Sequence, residues 1–427
     1  MTQKKFYIKT LGCKVNQYES QMIRENFLKA GYTEAGNSDE ADVCVVNTCT
    51  VTSASDSKSL KSIRSGLRKK DKCVVATGCM IEASDMDLHK LKGVDFIIKN
   101  KDKYRIAELI SKSLHPSPFT LHQIDSITRF EGHARAFVKV QDGCDNRCAY
   151  CKVSIIRGRS ISRPVEEVLH ECKTLIGNGY KEIVLTGICL GAYGRDISKD
   201  MDLSRLIKEL CKIKGDWRVR LSSIEPKDVT PSLILQIKSE EKLCKHLHIP
   251  FQSGDDEILK KMRRPYTADD YKGIVNKLRE AISNIAISTD IMVGFPGEKE
   301  ANFQNTMNFI KEIKPMRLHA FGFSKRPGTP AYNYKDNVNT AVKKKREHAL
   351  MDMVKGFTRE FEAMFIGKNA MVLIEDNRDK NGFLQGYTDR YIKVLINGPS
   401  SVKSRLLTCR LTLTNQKVCG ILLSYSD

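Results

Sequence analysis

The segment QDGCDNRCAYCKV, residues 141–153, places Cys144, Cys148 and Cys151 in one short loop with the spacing C-x3-C-x2-C. Thiolates this close together are typical metal ligands, but a closed structural zinc site requires four protein ligands. His133 is the nearest upstream histidine, and a predicted strand separates it from the cysteines. The segment therefore favours a four-iron cluster that is held by three thiolates and has one iron open to an external ligand. Zinc remains the alternative.

The segment follows the first of six predicted strands that alternate with helices. The helices, such as 164–179 and 202–215, carry apolar residues at i, i+3 and i+4. Six such units predict an open, partial (β/α)6 barrel, with functional residues at the carboxyl ends of the strands. The predicted strands are 134–141, 182–187, 218–223, 246–251, 285–294 and 317–323.

Polar residues and glycines follow several of these strands and are expected at the mouth of the barrel. The glycine-rich turn 186–194 would let the backbone approach a ligand closely. Each residue taken singly is equally well explained as a loop or helix cap. The candidates are Thr186, Gly187, Gly191, Ser223, Glu225, Gln252 and Asp290.

Three apolar runs in the first hundred residues each end in a cysteine. KKFYIKTLGC, ADVCVVNTC and DKCVVATGC end at Cys13, Cys49 and Cys79, and each precedes a helical or polar segment. This alternation predicts a parallel α/β sandwich, in which ligand sites form at the carboxyl edge of the sheet. The fold would then gather a second set of three thiolates. The alternative is three unrelated buried thiols.

The pattern changes again towards the carboxyl end. Residues 340–366 predict a basic helix, and five short strands after Gly367 predict a small β-barrel of a kind often used for RNA binding. We expect an α/β protein with domains at 1–115, 130–366 and 367–427. The weakly patterned residues 101–133 are expected to form a connector.

Composition limits the classes of protein. The chain has 427 residues, 41% hydrophobic and 29% charged, as in an ordinary soluble globular protein. It contains no uninterrupted apolar run of the roughly 18–20 residues that a membrane helix needs. The segment MTQKKFYIKTLGC has no apolar region typical of a signal peptide. We therefore expect a cytoplasmic protein with no membrane partner, in which clustered cysteines bind metal instead of forming disulfides.

Lys and Arg number 71 against 51 Asp and Glu, so the net charge is +20. This surplus suggests a nucleic-acid partner, although a basic protein without one is also possible. On the predicted helix at 58–70, Lys61, Arg64 and Arg68 share a face that is either solvated or in contact with RNA. The remaining cysteines are interpreted as small core or incidental residues: Cys44, Cys73, Cys172, Cys189, Cys211, Cys244, Cys409 and Cys419.

The spacing of the close triad resembles the signature of the radical S-adenosylmethionine (SAM) superfamily. The order of the three predicted domains resembles the methylthiotransferases within it. The motif TLGCKVNQYES (10–20), with FGFSKRPGTPA (321–331) and GYTDRYIKV (386–394), is similar to the MtaB type. The isopentenyladenosine enzymes usually have G-C-Q-M-N at the first motif, and the ribosomal protein S12 enzymes G-C-P-K-N.

The resemblance implies two [4Fe-4S] clusters. Cys144, Cys148 and Cys151 would hold the one whose open iron is chelated by SAM, and Tyr150 would pack near the adenine. Cys13, Cys49 and Cys79 would hold an auxiliary cluster that passes on sulfur. The candidates at the barrel mouth would contact SAM.

The implied activity is addition of a methylthio group to C2 of N6-threonylcarbamoyladenosine at position 37 of tRNA. One SAM would supply the methyl group, and another the radical that takes the hydrogen. The partners would be the tRNA anticodon stem-loop, an electron donor and a sulfur source. The C-terminal barrel resembles the RNA-binding TRAM domain.

Four residues depart from the usual family pattern without removing a candidate ligand: Met80, Lys99, Ser154 and Ile161. Two other hypotheses remain. One is a methylthiotransferase for isopentenyladenosine tRNA or a ribosomal protein. The other is a non-catalytic iron-sulfur protein that binds RNA or senses redox state, which would need neither SAM nor an open iron.

Overall fold

The first of three packed units is a parallel sheet with helices on both faces. The computed structural model describes residues 3–67, 72–83, 88–114, 126–335 and 338–423. Ile23 and Phe27 of the first helix pack with Ile106 and Ile110 on one face, while Ile63 packs on the other. The strand order is β2-β1-β3-β4-β5, all parallel. The elements are β1 (Lys5–Thr10), α1 (Lys14–Lys29), β2 (Thr33–Glu34), β3 (Val43–Thr48), α2 (Ser53–Gly66), β4 (Cys73–Gly78), α3 (Cys79–Glu82), β5 (Phe96–Ile97) and α4 (Ile106–Leu114).

The central unit is the predicted partial barrel. Six parallel strands lie in sequence order in two sheets, and the bridges Val219–Leu243 and Ser223–His248 join them. A two-residue strand, β7, runs antiparallel to the first of the six. The elements are β6 (Ala136–Asp142), α5 (Val153–Arg157), β7 (Ile161–Ser162), α6 (Val165–Gly177), β8 (Glu182–Gly187), α7 (Leu203–Cys211), β9 (Arg218–Leu221), α8 (Pro231–Ser239), β10 (His246–His248), α9 (Asp256–Lys261), α10 (Ala268–Ala281), β11 (Ala286–Val293), α11 (Glu300–Ile313) and β12 (Arg317–Gly322).

The third unit is a closed five-stranded barrel, which confirms the predicted fold class. Its order is β13-β14-β15-β17-β16. It covers the amino-terminal end of the central strands, where Arg218 and Arg220 donate to the carbonyls of Tyr387 (2.8 Å) and Thr388 (2.9 Å). The elements are α12 (Thr340–Ala363), β13 (Asn369–Arg378), β14 (Leu384–Thr388), β15 (Lys393–Ile396), β16 (Leu406–Thr414) and β17 (Lys417–Leu422).

The expectation of a connector over residues 101–133 is wrong for its first part. Helix α4 lies there, and Ile106 and Ile110 are fully buried against the first sheet. Burial of these apolar side chains stabilises the helix where it stands. No helix in the described ranges is long and apolar enough to cross a membrane.

Candidate active site

A cavity of about 550 Å³ lies between the carboxyl edge of the first sheet and the mouth of the central barrel, and all six candidate cysteines line it. Three follow strand ends of the first sheet: Cys13 precedes α1, Cys49 comes directly after β3, and Cys79 begins α3 after β4. The other three lie in the loop between β6 and α5. The two triads therefore face one space from two walls.

Tight backbone turns bring the distant triad together. Gly12 has φ +102°, and a Cβ there would lie 2.9 Å from the Sγ of Cys49. Gly78 has φ +94°, and a Cβ would lie 2.5 Å from the Thr48 carbonyl. Asn16 Nδ2 ties these turns together by donating to the carbonyls of Leu11 (2.7 Å) and Thr48 (2.9 Å). Only glycine tolerates both the left-handed backbone and the close approach.

Each triad has one arginine that donates to a thiol sulfur. Arg157 Nη2 lies 3.4 Å from the Sγ of Cys79, and Arg264 Nη1 lies 3.1 Å from the Sγ of Cys148. Burial raises the pKa of Cys151 to about 12 and also raises that of Cys148, although Arg264 opposes the second shift. A nearby cation or a bound metal favours the thiolate that ligation requires.

Cys189 lies within hydrogen-bond reach of Cys144, a contact that the sequence did not predict. Its backbone N–H donates to Gln141 Oε1 (2.8 Å), and its thiol lies beside Asn146 and Asp228. A hydrogen bond from Cys189 lowers the pKa of Cys144 to about 7. A single cysteine in a glycine-rich loop has no spacing signal, so the sequence predicts only a small core or incidental residue at this position.

Most of the predicted barrel-mouth residues line the same cavity: Tyr150, Thr186, Gly187, Ser223, Glu225, Gln252 and Asp290. Gly191 does not, and its lack of a side chain is explained by packing, because a Cβ there would lie 2.3 Å from the Cβ of Asp228. Glu225 pairs with Arg264, and Asp290 Oδ2 lies 3.1 Å from His248 Nε2.

Three side-chain atoms of cavity-wall residues lack a protein partner within the described part of the chain. Gln252 Oε1, Ser222 Oγ and Arg157 Nε are buried without a hydrogen bond. Gln252 also has φ +79°, a conformation that costs free energy in a residue with a side chain. Unpartnered buried polar atoms indicate a ligand that would bond them.

The four residues that differ from the usual family pattern lie in different surroundings. Ser154 lines the cavity, whereas Met80 is buried in the core under α2. Lys99 lines a separate space of about 260 Å³ beside Arg157, and Ile161 is exposed on β7. In the candidate RNA-binding run, Lys61 and Arg64 are exposed, while Arg68 lies outside the described residues.

The cysteine triads fit clusters better than single ions. Within the described ranges, no group of three His, Cys, Asp or Glu side chains converges closely enough to hold one metal ion. In a four-iron cluster each thiolate binds a different iron, so the sulfurs need not converge. With two triads, an arginine beside each of them, and the unpartnered Gln252 Oε1 and Ser222 Oγ, the residues present fit two clusters and a polar cofactor.

Two parts of the chain match known families. Residues 138–310 match the radical SAM superfamily, and residues 5–99 match an uncharacterized protein family, UPF0004. The chain is 37% identical to the threonylcarbamoyladenosine tRNA methylthiotransferase MtaB of Bacillus subtilis, over 94% of this chain and 92% of that protein. It is 39% identical to MtaB of Thermotoga maritima, over 90% of each. The chain belongs to the radical SAM methylthiotransferase family.

This radical SAM methylthiotransferase is therefore an enzyme that uses SAM and two [4Fe-4S] clusters. A further relative is the tRNA-2-methylthio-N(6)-dimethylallyladenosine synthase of Acetivibrio thermocellus, 34% identical over 96% of this chain and 89% of that protein. The fold is also that of the radical SAM methyltransferase TsrM from Kitasatospora setae, with TM-score 0.57 and 14% identity over 78% of this chain and 77% of that one.

Proposed function

We propose that this enzyme adds a methylthio group to C2 of N6-threonylcarbamoyladenosine at position 37 of tRNA. One observation carries the proposal: both cysteine triads line a single cavity, so hydrogen removal and sulfur delivery can act on one base. The MtaB relatives, at 37% and 39% identity over nearly the full length, support this substrate.

In this proposal the close triad Cys144, Cys148 and Cys151 holds one cluster, and Cys13, Cys49 and Cys79 hold the other. When bound, SAM and its cluster supply the radical and the methyl group, and the auxiliary cluster supplies the sulfur. The protein orients these groups: Arg264 and Arg157 donate to one sulfur of each triad. The reacting base would lie between the two walls of the cavity, where its contact with water is reduced.

We also assign SAM contacts to the barrel mouth. Gln252 Oε1 is a buried acceptor without a protein partner, and the side chain of Tyr150 lies at the wall against Phe295. The other proposed SAM contacts also line the cavity: Thr186, Gly187, Ser223, Glu225 and Asp290.

We propose three domains, at 1–115, 130–366 and 367–427. At their ends, residues 1–2, residue 115 and residues 424–427 lie outside the described residues.

The partners follow from charge and chemistry. The net charge of +20 favours binding of the anticodon stem-loop through its phosphates, and the base at position 37 would be recognised in the unstacked loop. The reaction also requires an electron donor and a sulfur source. We place the enzyme in the cytoplasm, together with its tRNA substrate.

Mass spectrometry of nucleosides from bulk tRNA, with and without this protein in the cell, tests the proposal. We expect the 2-methylthio form of threonylcarbamoyladenosine to disappear in its absence and the unthiolated nucleoside to accumulate. An unchanged level would refute the assignment. Loss of the 2-methylthio form of dimethylallyladenosine would instead support the second candidate, which the relative from Acetivibrio thermocellus favours.

The non-catalytic alternative makes a different prediction. A protein that only binds RNA or senses redox state would not cleave SAM when its cluster is reduced. We expect the purified, reduced protein to produce 5′-deoxyadenosine from SAM, and no product would favour the alternative.

A further inference from the structure

Lys14 is a cation in the cavity wall that has no carboxylate partner. It is the first residue of α1, directly after Cys13, and it is partly buried. In the part of the chain that the structure describes, no carboxylate oxygen lies within the 4.0 Å of an ion pair from its ammonium group. A lysine held in a cavity without a counter-ion is costly, so an incoming anion would be stabilised there.

Four ionisable groups act on Lys14 from beyond the first sheet. They are Tyr391, Arg220, Arg135 and the carboxylate of Glu182. Glu182 is already shared by Arg218 (2.6 Å), Arg220 (2.9 Å) and Arg135 (3.3 Å). It is therefore not available to neutralise Lys14. Arg220 and Arg135 add to the positive charge of Lys14 and favour an anionic ligand beside it.

We propose that Lys14 binds the carboxylate of the threonylcarbamoyl group and so selects this nucleoside over dimethylallyladenosine. The inference rests on the proposed function and names its specificity residue. The two nucleosides differ at N6 of the adenine, where one group ends in a carboxylate and the other is an uncharged hydrocarbon. A site built to pair with a charged group rejects an analogue that lacks it, because its own polar group is then left unpaired.

SAM is a second possible source of a carboxylate, and tRNA phosphate is a second possible anion. Lys14 begins α1 on the wall of the first sheet, but its ammonium group reaches towards Arg220 and Arg135 of the barrel. The experiment therefore separates the three ligands by measurement.

The test uses the holoenzyme and three anticodon stem-loop RNAs that differ only at N6 of position 37: threonylcarbamoyl, its methyl ester, and dimethylallyl. The variants are Lys14→Met, Lys14→Arg and, as a matched control, Lys29→Met at the exposed far end of the same helix. The readouts are the Kd of each RNA, the Kd of SAM, iron content and the methylthio product.

We expect wild type and the control to bind the carboxylate RNA at least about 100-fold more tightly than the two uncharged RNAs. Lys14→Met should lose this preference and leave the affinity for the uncharged RNAs and for SAM unchanged. Lys14→Arg should retain part of the preference, because the charge remains.

Several results would overturn the inference. Equal weakening of all three RNAs by Lys14→Met would show a phosphate contact, and weaker SAM binding would show that the carboxylate is that of SAM. If Lys14→Met loses iron, the test relies on the wild-type enzyme alone, through its Kd values for the threonylcarbamoyl RNA and for the methyl ester RNA. Equal Kd values for these two RNAs would refute the inference. If wild type prefers the carboxylate RNA but does not methylthiolate it, the proposed function fails instead.

Discussion

Arg157 Nη2 donates to the Sγ of Cys79 across 3.4 Å, although the two residues lie 78 positions apart in the chain. The same guanidinium donates to Glu19 (2.7 Å) and Asn16 (2.8 Å) on α1. Arg157 ends α5, the helix that begins just after Cys151. One side chain thus fixes the loop of the close triad to a member of the distant triad.

Replacing Arg157 should therefore change the auxiliary cluster selectively. Arg157→Gln removes a positive charge and a hydrogen bond from a candidate ligand sulfur. We expect the reduction potential of that cluster to become more negative, on the order of tens of millivolts, because hydrogen bonds to the sulfurs raise it. A redox titration followed by electron paramagnetic resonance checks this.

Arg264→Gln is the matched variant, since it removes the donor to Cys148 in the other triad. It should shift the potential of the other cluster. Equal shifts of both clusters in either variant would contradict the assignment of one arginine to each triad.

Replacement of single cysteines should distinguish the functions of the two triads. Cys148→Ala should abolish reductive cleavage of SAM, whereas Cys79→Ala should retain cleavage and lose the methylthio product. Each variant should lose about four irons per chain, the content of one cluster. Iron analysis and 5′-deoxyadenosine assays measure this. Cys419→Ala, in the C-terminal barrel, is the control that should change neither.

Glu182 should be essential for the stability of the barrel at the amino-terminal end of its strands. It is fully buried, and its carboxylate is shared by Arg135, Arg218 and Arg220. Glu182→Gln leaves these cations without that charge, so we expect the free energy of unfolding to fall by about 3–5 kcal/mol. Denaturant titration measures it. Glu209→Gln on the surface of α7 is the control, and a similar loss there would argue against a buried-charge effect.

Glu19 should make stability depend on acid pH. Burial alone would raise its pKa, but Lys103 (2.6 Å), Arg157 and Lys139 hold the pKa well below its usual value. A depressed pKa stabilises the folded state fully above the unfolded-state pKa of about 4.3, and this contribution is lost as the pH falls through the folded pKa.

The measurement compares the cluster-free wild-type chain with its Glu19→Gln variant. The difference in the free energy of unfolding should be largest at neutral pH and should shrink steadily below about pH 4. A difference that stays constant down to pH 3 would show that the carboxylate is not held ionised.

Much of the fold was predictable because its main strands are apolar runs with polar ends. The six barrel strands and the five C-terminal strands lie where the sequence placed them, within a few residues. Strands β2, β5 and β7 have two residues each, too few for any periodicity. Helix α4 lies in a weakly patterned stretch of sequence. Ile106 and Ile110 can be recognised as core residues only when the sheet that they cover is known.

The cavity was predictable in part for a similar reason. Strand ends in parallel sheets meet at one edge, so the positions of Cys13, Cys49 and Cys79 followed from the pattern. Arg157 and Arg264 could not be found in this way, because their partners are distant in sequence. Such contacts arise only from packing between units.

The cysteines of one triad are close together in the sequence and those of the other are far apart, and this difference sets the order in which the two clusters can be assembled. Cys144, Cys148 and Cys151 share one short loop, so closing it around iron costs little chain entropy even before folding. Cys13, Cys49 and Cys79 meet only after β1, β3 and β4 have paired. We therefore expect the cluster of the distant triad to assemble only as the N-terminal sheet forms, whereas the close triad can bind iron before the chain has folded.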